Sequence, residues 1–188
     1  MPIPRLLPDE TALLVIDMQE KLLAPIAEAP RIITNCSIMI RAAAVLGIPV
    51  LVTEHHPQAL GRTVDAITQV MVDPASRIEK MRFSAHVDLV EETLLRWRRS
   101  RLLICGIEAQ VCVLQTTLDF QASGRQCFLV SDAIGSSQGD QASHAVRRSE
   151  AAGAVTTGVM AAIYELLADA DHPSRRACVE LVKGIQGP

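Results

Sequence analysis

Three residues in this 188-residue sequence stand at or just beyond the end of a strand-like run and carry an acid, a cation and a thiol: Asp17, Lys80 and Cys112. Asp17 follows the wholly apolar run 12–16. A carboxylate at the mouth of a dry strand suits a general base, although an Asp in that place also caps turns. Lys80 closes the run 77–79. A lysine is usually a solvated surface residue, but beside a thiol and a carboxylate its cation favours the ionised form of both. Cys112 lies two residues into a helix predicted to begin near Gln110, where unpaired N–H groups and the helix dipole favour a thiolate. Its other reading is that of most free cysteines, a small buried hydrophobe. The remaining four, Cys36, Cys105, Cys127 and Cys178, fall inside helix or strand patterns, where core packing is the expectation. Other polar residues end apolar runs as well: Glu54-His55-His56, Gly106-Ile107-Glu108 and Asp132.

Such residues act together only if the chain gathers its strand ends. Apolar, β-branched runs at 12–16, 50–53, 101–105, 127–130 and 154–157 read as buried strands, and Arg77-Ile78-Glu79 is a weaker strand candidate ending at Lys80. Between them, Ile32, Cys36, Met39, Ala43 and Leu46 recur at helical spacing after Pro30, and Gly47 with Pro49 supplies the stop. A short helix is predicted around Ile67, Val70 and Met71, and longer ones over 87–99, 110–123, 140–153, 158–168 and 173–184. This alternation predicts an α/β fold, a three-layer αβα sandwich around a mostly parallel six-stranded sheet, as one domain over residues 1–188. In open parallel sheets, ligands bind beyond the carboxyl ends of the strands where the strand order reverses, so Asp17, Lys80 and Cys112 are expected on one edge.

Composition narrows the function. Hydrophobic residues make up 49% of the chain and aromatics only 3%, so the core is built from Ala, Val, Ile and Leu and few stacking platforms exist for single-stranded nucleic acid. Eighteen Lys and Arg against 21 Asp and Glu give a net charge of -3, which argues against a nucleic-acid partner. No apolar run reaches the roughly 18 residues of a membrane span. The first ten residues carry three prolines and no sustained apolar run, and do not read as a secretory signal. Five widely spaced cysteines without a CxxC pair suggest neither a zinc site nor a disulfide framework, and a reducing cytoplasm is expected.

The segments Leu14-Val15-Ile16-Asp17-Met18-Gln19, Lys80 before Phe83-Ser84-Ala85, and Gly106-Ile107-Glu108-Ala109-Gln110-Val111-Cys112-Val113 resemble the three motifs of the isochorismatase-like cysteine hydrolases, in the same order. That superfamily includes nicotinamidases and N-carbamoylsarcosine amidase. The resemblance extends over nearly the whole chain, through Ser131-Asp132-Ala133-Ile134-Gly135-Ser136-Ser137 and the last helix after His172-Pro173. Thr53-Glu54 through Leu60-Gly61 brings it nearest to the isochorismatase-domain-containing proteins. It implies a triad of Asp17, Lys80 and Cys112, in which Asp17 exchanges protons with the thiol and the leaving group. Lys80 would stabilise both anions, and Cys112 would form a covalent acyl-enzyme. It further implies a cis peptide at Ile107-Glu108 that aims backbone N–H groups near Glu108 and Cys112 at an oxyanion.

Two departures shape the expected substrate. Isochorismatases proper cleave a vinyl ether and generally lack the cysteine, so Cys112 argues against that reaction. Nicotinamidases hold a metal with an Asp-x-His pair and a later His. Here Glu54 and His56 stand in that place and no further histidine follows before His86, so no metal or other cofactor is expected. Gln19, His55, His56, Phe83 and Glu108 are candidate substrate contacts; Glu108 suits an amine or amide donor, or else a structural salt bridge. The expected protein is thus a cysteine hydrolase acting on a small amide or related carbonyl compound, and a homo-oligomer, dimer or larger, by resemblance. A non-catalytic small-molecule-binding module and a metal-assisted amidase are the alternatives.

Overall fold

The computed structural model describes residues 3–73 and 76–187. Its centre is one sheet of six parallel strands: β1 (Thr11–Ile16), β2 (Val50–His55), β3 (Arg77–Lys80), β4 (Arg101–Gly106), β5 (Gln126–Ile134) and β6 (Val155–Thr157). Their order across the sheet is β3-β2-β1-β4-β5-β6. Each predicted run is a strand, and the α/β three-layer architecture is the observed one. The order reverses between β1 and β4, which places the switch point beside Asp17 and Gly106.

Helices cover both faces. After β1 come α1 (Glu20–Leu23) and α2 (Ala29–Val45); after β2, α3 (Pro57–Leu60) and α4 (Asp65–Thr68); after β3, α5 (Asp88–Arg96). Beyond β4, a π-helical turn (Ala109–Val113) leads into α6 (Leu114–Ala122), followed by α7 (Gln141–Ala151), α8 (Val159–Leu167) and α9 (Arg175–Val182). All six residues of β1 are buried, as in a strand covered on both sides. Successive side chains point to opposite faces: Leu13 and Val15 join Ile32, Ile40 and Ile163 of α2 and α8, whereas Ala12, Leu14 and Ile16 join Val90, Leu94 and Phe120 of α5 and α6. At the end of α2, Gly47 takes φ +68 and the Ile48 N–H reaches back to the Ala43 carbonyl at 2.8 Å, the Schellman closure that the Gly47 stop signal predicts.

Two elements differ from the sequence pattern. The strand predicted to end at Asp132 runs on to Ile134, which pairs with Gly106. Asp132 is not at the site edge: its Oδ1 accepts the Val159 N–H at 2.9 Å, capping α8. The single helix predicted over 110–123 is divided, its first turn being π-helical, a form that recurs at functional sites.

β4 approaches β1 closely at Gly106, whose φ is +113; a Cβ there would lie 2.1 Å from the Ile16 carbonyl oxygen. Gly124 also has a positive φ, +89, but a Cβ on it would meet nothing within 4 Å. Gly106→Ala is therefore expected to destabilise the protein severely, whereas Gly124→Ala loses only about 1–2 kcal/mol of backbone preference. Urea unfolding of the two variants checks the contrast; similar midpoints would contradict it.

Candidate active site

β1 delivers Asp17 to the sheet edge in a left-handed conformation (φ 48), held by its N–H on the Thr53 carbonyl at 3.1 Å. Lys80 is the last residue of β3, paired in register with His55 of β2. Because β2 separates β1 from β3, the two backbones are roughly two strand spacings, about 9–10 Å, apart. The long lysine stem crosses that interval. Its Nζ lies 2.6 Å from Asp17 Oδ2, with both side chains fully buried. The same ammonium donates to the carbonyls of Phe83 (2.9 Å) and Arg82 (3.2 Å), so all three of its protons are placed. Thr53 Oγ1 donates to Asp17 Oδ1 at 2.6 Å, which fills the other side of the carboxylate.

Cys112 enters from the π-helical turn and completes the set, close enough to Asp17 and Lys80 for both charges to act on its thiol. Burial pushes the thiol up to about 12, with the Asp17 charge adding to the effect; Lys80 and a hydrogen bond from the Glu108 backbone act the other way and are outweighed. The expectation of a resting thiolate at a helix N-terminus is thereby corrected: a dry site beside a carboxylate overrides the dipole, and the cysteine waits as a neutral thiol. The Ile107–Glu108 peptide is cis, as the resemblance implies, with Ile107 fully buried and its N–H on the Ile16 carbonyl at 3.0 Å.

The thiol opens onto a cavity of about 360 Å³. Leu22, Leu60, Phe83 and Val111 supply apolar walls; His55, Glu108, Gln110 and Ser137 supply polar ones. A slightly larger cavity, about 420 Å³, lies at the opposite end of β2 against Pro49 and Trp97 and touches none of the triad. The His55 and Phe83 rings pack at 5.1 Å between centroids. Burial and the Lys80 cation hold His55 below its usual pKa, so it is neutral at neutral pH.

Two candidate contacts do not line the cavity. Gln19 is fully buried, and its amide is spent on backbone: Nε2 donates to the His55 and Gly61 carbonyls at 3.0 and 2.6 Å, and Oε1 accepts the His55 N–H at 2.7 Å. It ties β2 to the 61 loop. His56 takes a left-handed conformation ahead of α3, with its N–H on the Lys80 carbonyl. Glu54 and His56 do not fit a metal either. Glu54 Oε1 accepts both the N–H and the hydroxyl of Thr63 at 2.8 and 2.7 Å, and Oε2 pairs with Arg62 at 2.8 Å. Burial would raise this carboxyl, but those bonds prevail and lower it. Among the described residues no three His, Cys, Asp or Glu side chains are grouped to hold a metal ion.

Reading the sequence for site residues passes over Thr53, Gln110 and Ser137. A hydroxyl at the end of an apolar strand was the available signal for Thr53. Nothing local marks Ser137, which reaches Glu108 only through its backbone N–H at 3.0 Å.

Residues 11–160 match the model of the isochorismatase domain. The secreted isochorismatase effector Isc1 of Phytophthora sojae is 38% identical, over 95% of this chain and 87% of its own. Human isochorismatase domain-containing protein 2 is 36% identical, over 95% of this chain and 86% of its own. The solved structure titled MAR1 ribonuclease from Caenorhabditis elegans superimposes with a TM-score of 0.91 at 35% identity, covering 96% of this chain and 93% of that one.

A neutral resting thiol has a measurable signature. Alkylation of Cys112 by iodoacetamide, read by peptide mass spectrometry, is expected to keep accelerating above pH 9 rather than level off near the ordinary thiol pKa of about 8.5. Asp17→Asn removes a negative charge that raises the Cys112 pKa, so its profile is expected to move to lower pH. An unmoved profile would show that Asp17 does not govern the thiol.

Proposed function

The chain belongs to the isochorismatase family, and on that premise we propose that it is a cysteine hydrolase of a small amide or related C–N carbonyl compound, acting through Asp17, Lys80 and Cys112. One observation carries this reading: a buried ammonium paired with a buried carboxylate, and beside them a buried thiol that opens onto a small-molecule-sized cavity. As Cys112 Sγ bonds to the carbonyl carbon, Asp17 takes the thiol proton and the carbonyl oxygen becomes an oxyanion, which backbone N–H groups near Glu108 and Cys112 would receive. The C–N bond then breaks, Asp17 returns its proton to the departing nitrogen, and a thioester remains. Water, deprotonated by Asp17, attacks the thioester; the C–S bond breaks and the thiolate recovers the proton.

Burial pushes the thiol up, so in this reading proton removal accompanies attack, and Asp17 is the base beside the sulfur that takes the proton. Lys80 pairs with the Asp17 carboxylate and stabilises the anions as they form. Thr53 fixes the second carboxylate oxygen as a positioning residue. The ribonuclease title of the nematode relative raises RNA as a substrate. A phosphodiester is anionic, however, and Glu108 lines this cavity without a cation. A metal-assisted route has no support from Glu54, whose oxygens are engaged by Thr63 and Arg62.

The same reading includes a homo-oligomer: Met81 and Phe83, flanking Lys80, are 67% and 50% exposed and offer apolar surface to a second copy. Free thiols at all five cysteines suit a reducing cytoplasm. No helix among the described residues is long and apolar enough to cross a membrane.

A hydrolysis screen of small amides and esters, with intact-mass detection of an acyl adduct, tests the reading. Cys112→Ala is expected to abolish both turnover and adduct, and Asp17→Asn to reduce kcat by about 10²–10⁴-fold. Thr53→Val, which removes one hydrogen bond to the base, is expected to lower kcat by about tenfold. Turnover that survives in Cys112→Ala would refute the covalent route.

A further inference from the structure

Glu108 and Gln110 meet at one wall of the cavity. Gln110 Nε2 donates to Glu108 Oε2 at 2.8 Å, and the Ser137 N–H donates to the same oxygen at 3.0 Å. This fixes the orientation of the Gln110 amide, since turning its oxygen toward a carboxylate would set two acceptors against each other. Its Oε1 consequently faces elsewhere, and it is buried without a partner. Glu108 Oε1 receives neither of these bonds, and no cationic side chain among the described residues pairs with Glu108.

The other charges at the site cancel. Lys80 and Asp17 neutralise one another, Cys112 is a neutral thiol and His55 is neutral. The charge left uncompensated in the cavity is the negative one on Glu108. A half-buried carboxylate without a counter-charge, next to a buried acceptor that no protein donor meets, is matched by a ligand bringing N–H donors and positive charge.

We propose that Glu108 and Gln110 form the specificity subsite for a cationic, multiply N–H-donating group on the substrate, of the amidinium or ammonium class, and that they exclude carboxylates. The proposal rests on reading this cavity as the hydrolase's substrate site. It goes further by assigning the charge and donor pattern of the group next to the scissile bond. A planar amidinium suits two acceptors on neighbouring side chains because its N–H groups project as a fork.

Butyramidinium, butyramide and butyrate share nearly one shape and differ in charge, and their binding to the Cys112→Ser protein, alone and combined with the substitutions below, can be followed by calorimetry. Binding is read without turnover, so loss of the subsite and loss of the hydrolase reading give different results. Butyramidinium is expected to bind at least about tenfold more tightly than butyramide, with butyrate weakest. Glu108→Gln is expected to bring butyramidinium to the level of butyramide, and Gln110→Leu to weaken it while leaving the order intact. Rising salt is expected to weaken only the butyramidinium complex, which keeps the test open should Glu108→Gln fold poorly. Failure of butyramidinium to bind, parity with butyrate, or affinity unmoved by either substitution and by salt would overturn the proposal.

Discussion

The pairing of Lys80 with Asp17 across β2 is the constraint on which the site depends. Both side chains are wholly buried, and removing two charges from water costs several kcal/mol per ion unless the geometry repays it. Here the repayment is close to complete. The ammonium has three acceptors, and the carboxylate holds Thr53 on one oxygen and Lys80 on the other. Loss of either partner strands a buried charge, at about 3–5 kcal/mol. The pair therefore fixes more than chemistry. It binds β3, the edge strand, to the centre of the sheet, and through the Arg82 and Phe83 carbonyls it sets the 81–87 loop that walls the cavity.

From that pair follows the state of the sulfur. A thiol packed against an ionised carboxylate in a dry pocket cannot readily become an anion, and the nearby ammonium is already committed to Asp17. In the proposed reaction the proton leaves in the same event that forms the new bond, and its destination is the neighbouring Asp17 carboxylate. A base that holds the thiol neutral at rest also keeps an unprotected nucleophile from forming between turnovers.

Much of this was legible in the sequence, for one physical reason. A fully covered parallel strand is written as an unbroken apolar run, so the first polar residue after it marks the sheet edge. Asp17 was found that way; Lys80 came instead from a short run, Arg77-Ile78-Glu79, with a single apolar residue, as suits an edge strand exposed on one face, and the fold rule for parallel sheets brought the two to one side. Asp132 shows where the rule fails: a polar side chain can break the run while backbone pairing continues, if that side chain has a helix to cap. The role of Gln19 was not legible, because its three bonds go to main-chain groups some forty positions away. Thr53 was passed over because a threonine closing a β-branched run reads as strand, although its hydroxyl stands at the polar end of that run.

Two carboxylates at this edge show how environment divides one residue type into two roles. Glu54 and Glu108 both follow apolar runs, and sequence alone offers each as a site residue. Glu54 is saturated by Thr63 and Arg62, and Arg62 goes on to Glu79 at 2.5 Å, so its charge is used up in tying a loop to the sheet. Glu108 receives only neutral donors, on one oxygen, and it lines the cavity that the thiol faces. The difference lies entirely in what the loops bring: an arginine folds back over the end of β2, and none folds back over the end of β4. On the proposed reading, a carboxylate left without a counter-charge in the cavity that the thiol faces selects what approaches that thiol, and it does so through charge before any shape is read.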